Sequence, residues 1–189
     1  MTRLASMRWI GSRAKGAGTT RQPGCPRAVL LAGRPPLRLG NVPLPEPYLL
    51  ALAASAWLGR VRPWVLPGSR LTHRLLGCPL IVAGTILVVR SLEAAGQVDL
   101  GHPGRLVTTG PYAVSRNPMY AGWALLHLGA GVAAGSGWIL AALPAAAGLV
   151  HWQVRCEEQD LGADFGDEFA RYQAAVPRYL GPRSFHRLG

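Results

Sequence analysis

The chain has 189 residues, enough for one domain, and only 15% of them are charged. An ordinary soluble protein carries about 25% charged residues, and here the 36 residues from Met119 to Val154 contain no Asp, Glu, Lys or Arg. Because ~20 residues cross a bilayer once, this composition argues against an ordinary soluble domain. It predicts an all-α, multi-span helical membrane protein with about four transmembrane helices.

Residues 1–42 are rich in Gly, Pro and Arg and have no sustained periodicity. Eight basic residues precede the first acid, Glu46. Such a tail is one sign of nucleic-acid binding, but no binding module or aromatic stacking pattern accompanies it, so no nucleic-acid partner is expected. We interpret the segment as disordered, cytoplasmic and in contact with anionic lipid. It also resembles a transit peptide or the product of a start codon placed too far upstream.

The next part of the chain, residues 43–99, is predicted to form the N-terminal transmembrane helices. The apolar run Tyr48–Gly59 is the weaker span, and an interfacial position is the alternative for it. Leu75–Val89 is the stronger one, because it contains no charge and arginines flank it on both sides. Residues 90–118 contain several Gly and Pro residues and are predicted to be a polar connection, which at this length is typical of a functional loop.

A membrane hairpin is predicted next. The charge-free segment breaks at Gly135–Gly137 and gives a third span, Met119–Ala134, and a fourth, Trp138–Val154. Four spans place the N-terminal and C-terminal segments on the same side, which we expect to be the cytoplasm. That orientation exports the short arginine-rich loop between the first two spans, against the positive-inside tendency.

Apolar residues recur at helical spacing beyond Arg155. The stripe comprises Leu161, Phe165, Phe169, Tyr172 and Val176. Steps of four, four, three and four residues predict an amphipathic C-terminal helix, docked on the membrane surface or folded over a site. Pro177 ends it, and residues 181–189 form a tail.

The three cysteines are widely spaced and odd in number: Cys25, Cys78 and Cys156. They form neither a zinc-binding pattern nor a disulfide framework. We therefore expect free thiols, as in a reducing compartment.

Four short motifs follow one another around the hairpin. They are Leu106–Tyr112 (LVTTGPY), Arg116–Gly122 (RNPMYAG), Glu157–Leu161 (EEQDL), and the C-terminal set Phe165-Gly166, Tyr172 and Val176-Pro177-Arg178. Their order and spacing resemble the isoprenylcysteine carboxyl methyltransferase family and its phospholipid methyltransferase relatives. The resemblance covers about residues 100–180, which it implies to be a cofactor-binding region. Each motif is weak alone, and the ordered set is specific.

The resemblance implies S-adenosylmethionine as cofactor and no metal. The implied cofactor-binding residues are Leu106, Val107, Tyr112, Arg116, Asn117, Pro118, Met119, Tyr120, Glu157 and Glu158. Arg116 suits the cofactor carboxylate through a charge-assisted hydrogen bond, and either glutamate suits its ammonium or ribose. Tyrosine faces suit adenine or the sulfonium.

Two further residues, Gln153 and Arg155, are implied to contact the substrate. By its spacing from Glu157, Gln153 stands where the family places an arginine for the substrate carboxylate, and Arg155 is nearby. This departure disfavours a prenylcysteine acceptor. Asn117 stands where many relatives have histidine, and an amide cannot titrate.

The function expected from the resemblance is methyl transfer to a small lipophilic acceptor, a carboxylate, amine or thiol, that enters from the bilayer. Positioning and exclusion of water can supply most of the acceleration, so no catalytic acid or base is assigned. We expect the active site to face the cytoplasm and no obligate protein partner. One alternative is a membrane NADPH-dependent lipid or steroid reductase, which also carries an R-[HN]-P-x-Y motif. Another is a non-catalytic component of a membrane complex.

Overall fold

A computed structural model describes residues 38–39, 42–43, 45–96, 98 and 104–180. The elements in chain order are β1 (Arg38–Leu39), β2 (Val42–Pro43), α1 (Glu46–Val61), α2 (Arg70–Ala95), the 3₁₀ turn η1 (Gly110–Ala113), α3 (Pro118–Ala134) and α4 (Gly137–Ala175). The two strands form one two-residue antiparallel pairing, and four helices make up most of the described chain, as an all-α fold requires. The predictions for residues 1–42, apart from 38–39 and 42, and for the tail 181–189 lie outside the described residues.

Helix α2 begins and ends at clear local signals. The Ser69 hydroxyl accepts from the Thr72 N–H at 3.0 Å, which is a typical N-cap, and Gly96 ends the helix with a positive φ of 57°. The predicted span therefore extends at both ends. The prediction of a connection from residue 90 onward is wrong for residues 90–95, because they form the last turns of α2. Arg90 pairs with Glu93 at 3.4 Å on the exposed surface of these turns.

Glycines bring α2 and α3 into backbone contact. Each helix has two glycines seven residues apart, Gly77 and Gly84 on α2 and Gly122 and Gly129 on α3. A Cβ added to Gly77 would meet the Ala133 backbone nitrogen at 2.4 Å, and one on Gly84 would meet the Gly122 carbonyl oxygen at 2.8 Å. Small residues at a constant helical interval allow such close approach in apolar surroundings, and the contacts show that the two helices are antiparallel.

The predicted break between the third and fourth helices is confirmed. Gly135 adopts the left-handed conformation, with φ 60° and ψ 33°, and Ser136 caps α4. The connection after α1 is joined to this turn, because the Leu66 N–H donates to the Gly135 carbonyl at 2.8 Å and the Gly137 N–H donates to the Trp64 carbonyl at 2.9 Å. We call this end of the bundle, residues 60–74 with the turn 135–138, the closed end.

The fourth helix is much longer than predicted. It spans 39 residues and consists of two helices joined at a kink, because Gly166, with φ 49° and ψ −121°, is non-helical. The helix of the predicted fourth span therefore continues past Val154 up to the kink, and a second, short helix follows it. Around the kink Phe169 is buried, whereas Asp164 and Glu168 are exposed, so the apolar stripe faces the protein.

Two helices, α2 and α4, are long and apolar enough to cross a membrane. In each of them only 22% of the residues in an apolar stretch of 18 residues are buried inside the protein. At 16 and 17 residues, α1 and α3 are shorter than the ~20 residues of a full span. Four transmembrane helices are therefore not confirmed.

The prediction of free thiols holds for Cys78, which is free and exposed. It is wrong for Cys156, which is disulfide-bonded.

Candidate functional site

Three segments converge at the end of the bundle opposite the closed end. They are the residues just before α3, the part of α4 beyond Val154, and a short C-terminal strap, Val176–Leu180. The strap runs beside the start of α3, because the Arg116 N–H donates to the Pro177 carbonyl at 2.9 Å and the Asn117 N–H donates to the Arg178 carbonyl at 3.2 Å. The Ser115 hydroxyl donates to the same Arg178 carbonyl at 3.1 Å.

Glu158 is the centre of a buried charge cluster that joins these segments. Its carboxylate is 6% exposed. Its Oε2 accepts from Nε and Nη2 of Arg178 at 3.0 and 2.7 Å. Its Oε1 accepts from the Asn117 side-chain amide at 3.1 Å and lies 3.3 Å from Nη2 of Arg116. The hydrogen bond to Glu158 raises the pKa of Arg178 above its usual value. Two arginines against one glutamate give the set a formal net charge of +1. We call this set the Glu158 cluster.

One hydrogen-bond donor of Arg116 has no acceptor among the described residues. Its side chain is 10% exposed, and its Nε–H is buried with no hydrogen-bond acceptor among the described residues. A buried donor without a partner costs about 1–3 kcal/mol. Together with the net positive charge of the cluster, this donor fits an anionic group of a ligand, such as a carboxylate.

Glu157 has different surroundings, although it is adjacent in sequence. Its Oε1 accepts from the Tyr120 hydroxyl at 2.7 Å and from the Gln153 amide at 3.0 Å. Gln153 also donates to the Tyr120 hydroxyl at 3.1 Å. In the described part of the chain no Lys or Arg pairs with Glu157, so this carboxylate suits a cationic ligand group. We call these three residues the Glu157 cluster.

Tyr112 lies beside the Glu157 cluster on η1. Burial raises the pKa of Tyr112 to about 12, and the negative charge of Glu157 contributes as the second cause. Its phenol is therefore neutral at physiological pH. The Tyr172 hydroxyl donates to the Tyr112 carbonyl at 2.7 Å, which fixes η1 against the last turns of α4.

The structure brings together most of the residues named from the sequence. Arg116, Asn117 and Glu158 share one cluster, and Tyr120, Gln153 and Glu157 share the other. Pro118 and Met119 are buried in the first turn of α3, where they position the residues on either side.

Six of the twelve named residues belong to neither cluster. Tyr112, Pro118 and Met119 lie beside the clusters, and Leu106, Val107 and Arg155 lie apart from them. Leu106 and Val107 lie half-buried in the connection before η1, and no hydrogen bond of either cluster involves them. Arg155 is exposed on α4. The inward-facing stripe of the helix is formed by Val150, Val154 and Glu158, which are spaced four residues apart and are buried.

Arg178 is the main residue that the sequence reasoning missed. It was part of the Val176-Pro177-Arg178 motif, but it was not assigned to the site. The available signal was the combination of a helix-ending Val-Pro with an arginine directly after it. Such a segment folds back towards the preceding helix, which carried two glutamates without a predicted partner.

A helical protein with two membrane-length helices and a buried arginine–glutamate site at the helix ends belongs to the class of membrane-associated helical proteins. A family model described as phospholipid methyltransferase matches residues 72–168, which is 97 of the 189 residues. The chain therefore belongs to the phospholipid methyltransferase family, as the ordered motifs predicted. Comparison with curated proteins found no match, and comparison with solved structures found none either.

Proposed function

We propose that this chain is an integral membrane enzyme that transfers a methyl group from S-adenosylmethionine to a small lipophilic acceptor. The acceptor class comprises carboxylates, amines and thiols. Family membership supports methyl transfer in general. Two unlike sites on adjacent residues support this cofactor. Among the described residues, the Glu158 cluster is net positive and has a buried donor without an acceptor, and the Glu157 carboxylate has no cationic partner.

S-adenosylmethionine is complementary to that pair, because its amino-acid end carries a carboxylate and an ammonium and its sulfonium is cationic. In this proposal Arg116 holds the carboxylate through Nε–H, which has no other acceptor in the described part of the chain. Glu157 holds the ammonium or the ribose hydroxyls, and the rings of Tyr112 and Tyr120 lie beside the cation. The cofactor supplies an electrophilic methyl group.

The protein's own contribution is positioning and dehydration. Tyr120 and Gln153 fix the orientation of the Glu157 carboxylate through hydrogen bonds of 2.7 and 3.0 Å. The strap, held by Glu158, covers the start of α3 and keeps water from the charged groups. Holding the methyl donor and the acceptor in line lowers the entropic part of the barrier. A carboxylate or thiolate acceptor needs no general base, and we assign none.

The membrane placement of the enzyme is also proposed. In this proposal the site lies where α4 leaves its apolar part, and a lipophilic acceptor reaches it from the bilayer. The length and apolar character of α2 and α4 support this placement. The basic N-terminal segment supports a cytoplasm-facing site. No obligate protein partner and no nucleic acid are needed for this activity.

Transfer of a radiolabelled methyl group tests the proposal. Purified full-length protein is incubated with methyl-labelled S-adenosylmethionine and a total lipid extract, and label in the organic phase is measured. We expect Arg116→Gln to reduce the label at least tenfold, whereas Arg171→Gln, on the exposed side of α4, leaves it unchanged. Absence of label together with lipid-dependent NADPH oxidation would instead support the reductase.

A further inference from the structure

The closed end of the bundle carries an uncompensated positive charge. Residues 47–92 contain no Asp or Glu, and four exposed arginines lie at or beside this end: Arg60, Arg62, Arg70 and Arg74. In the described part of the chain none of the four forms an ion pair, and the guanidinium of Arg60 donates only to the Ala56 carbonyl of its own helix, at 3.2 Å. The charge-free segment 119–154 supplies no acid from α3 or the start of α4.

Large apolar side chains are exposed among these arginines. Trp57 and Trp64 are 63% and 49% exposed, and Leu71 and Leu75 are 66% and 65% exposed. Trp64 packs edge-on against Trp138 with ring centroids 5.2 Å apart, which holds it at the rim. Alternation of arginine, tryptophan and leucine at one surface is typical of the boundary between lipid headgroups and acyl chains.

A shallow groove of ≈ 430 Å³ continues from this surface along the outer face of α2. It is lined by Arg74, Leu75, Cys78, Pro79 and Val82. These residues follow one stripe of the helix, with the arginine at the first position and apolar groups over the next ~12 Å. The groove surface itself is apolar, because Arg74 lines it through its hydrocarbon stem. It therefore offers a hydrocarbon surface next to exposed arginines, which matches an amphiphile with an anionic head.

We propose that the closed end binds an anionic phospholipid, with its headgroup phosphate at Arg70 and Arg74 and one acyl chain along the α2 groove. The four arginines, which have no ion-pair partner among the described residues, favour a lipid with a net negative charge over a zwitterionic one. The groove favours a lipid over free phosphate, since phosphate would leave the apolar part uncovered. This site lies at the other end of the bundle from the Glu158 and Glu157 clusters and does not depend on methyl transfer.

Lipid binding to the detergent-purified full-length protein, counted by native mass spectrometry, tests this site. We expect dioleoylphosphatidylglycerol to bind more tightly than dioleoylphosphatidylcholine. The double variant Arg70→Gln/Arg74→Gln should weaken phosphatidylglycerol binding roughly 25-fold, about fivefold for each arginine near an anionic headgroup. The control is Arg90→Gln, which removes an exposed arginine of the same helix that is paired with Glu93; it should change binding less than twofold.

Two further comparisons separate the outcomes. The double variant Arg70→Lys/Arg74→Lys keeps the charge and should bind within about threefold of the wild type. If the double glutamine variant does not fold, the single variant Arg74→Gln serves as the test and should weaken phosphatidylglycerol binding about fivefold. Equal binding of the two lipids, or unchanged binding in the glutamine variant, would overturn the proposal. So would competition by inorganic phosphate at the lipid's own concentration, because the acyl chain would then contribute nothing.

Discussion

Replacement of Arg178 by glutamine tests whether the C-terminal strap is held by the Glu158 cluster. Arg178 donates two charge-assisted hydrogen bonds to Glu158 Oε2, at 3.0 and 2.7 Å. Breaking a buried pair costs about 3–5 kcal/mol, but Arg178 is 34% exposed and Glu158 keeps Arg116 and Asn117 as partners. We therefore expect a loss of about 1.5–3 kcal/mol. For a chain of this size that lowers the midpoint of thermal unfolding by roughly 3–12 °C, measured by circular dichroism in detergent.

Arg171→Gln is the matched control for this prediction. Arg171 is exposed on α4, and among the described residues it makes no ion pair or hydrogen bond, so its loss should fall within about 0.5 kcal/mol. Arg178→Lys should recover only part of the stability lost in Arg178→Gln, because a lysine ammonium cannot reproduce the two hydrogen bonds that the guanidinium donates to Glu158. Equal midpoints for the Arg178→Gln and Arg171→Gln proteins would show that the ion pair does not hold the strap.

The remaining predictions concern helix packing, the Glu157 cluster and alkaline stability. Gly84→Ala should destabilise the protein by about 1–3 kcal/mol in thermal unfolding, because its Cβ would lie 2.8 Å from a carbonyl oxygen of α3; Gly148→Ala, with no atom within 4 Å, should not. Tyr120→Phe removes the hydroxyl bonded to Glu157 and should weaken S-adenosylmethionine binding about tenfold by calorimetry. The Tyr112 phenol ionises near pH 10 when unfolded and near 12 when folded, so its stabilisation is complete below pH 10 and is lost as the pH rises through 12. Tyr112→Phe should therefore make stability between pH 10 and 12 less pH-dependent than in the wild type, as followed by circular dichroism.

The helical hairpin could be predicted from the sequence, whereas the lengths of the helices could not. The break at Gly135–Gly137 was visible because glycine adopts the positive φ that ends α3. The extension of α2 to Ala95 was missed, because Arg90 and Glu93 look like a loop when only hydropathy is considered, although they form an i,i+3 pair on a helix. The helical continuity of α4 across Arg155, up to the kink at Gly166, was missed for the same reason, since a change from apolar to charged residues does not end a helix.

The residues that form the site were predicted better than the contacts between them. Motif order identified Arg116, Glu157 and Glu158, but sequence alone did not distinguish the two glutamates. The structure does, because successive residues of a helix point about 100° apart: Glu158 turns towards the arginines and Glu157 towards Tyr120. Arg178 was not assigned because its partner lies 20 residues earlier, across the end of a helix whose direction the sequence did not give.

S-adenosylmethionine binding to the detergent-purified protein, measured by titration calorimetry beside NADPH and a Glu157→Ala variant, tests the proposed cofactor directly. We expect saturable binding of S-adenosylmethionine by the wild type, loss of that binding in the variant, and no binding of NADPH. Binding of NADPH alone, or of neither ligand by a folded protein, would refute the proposed function.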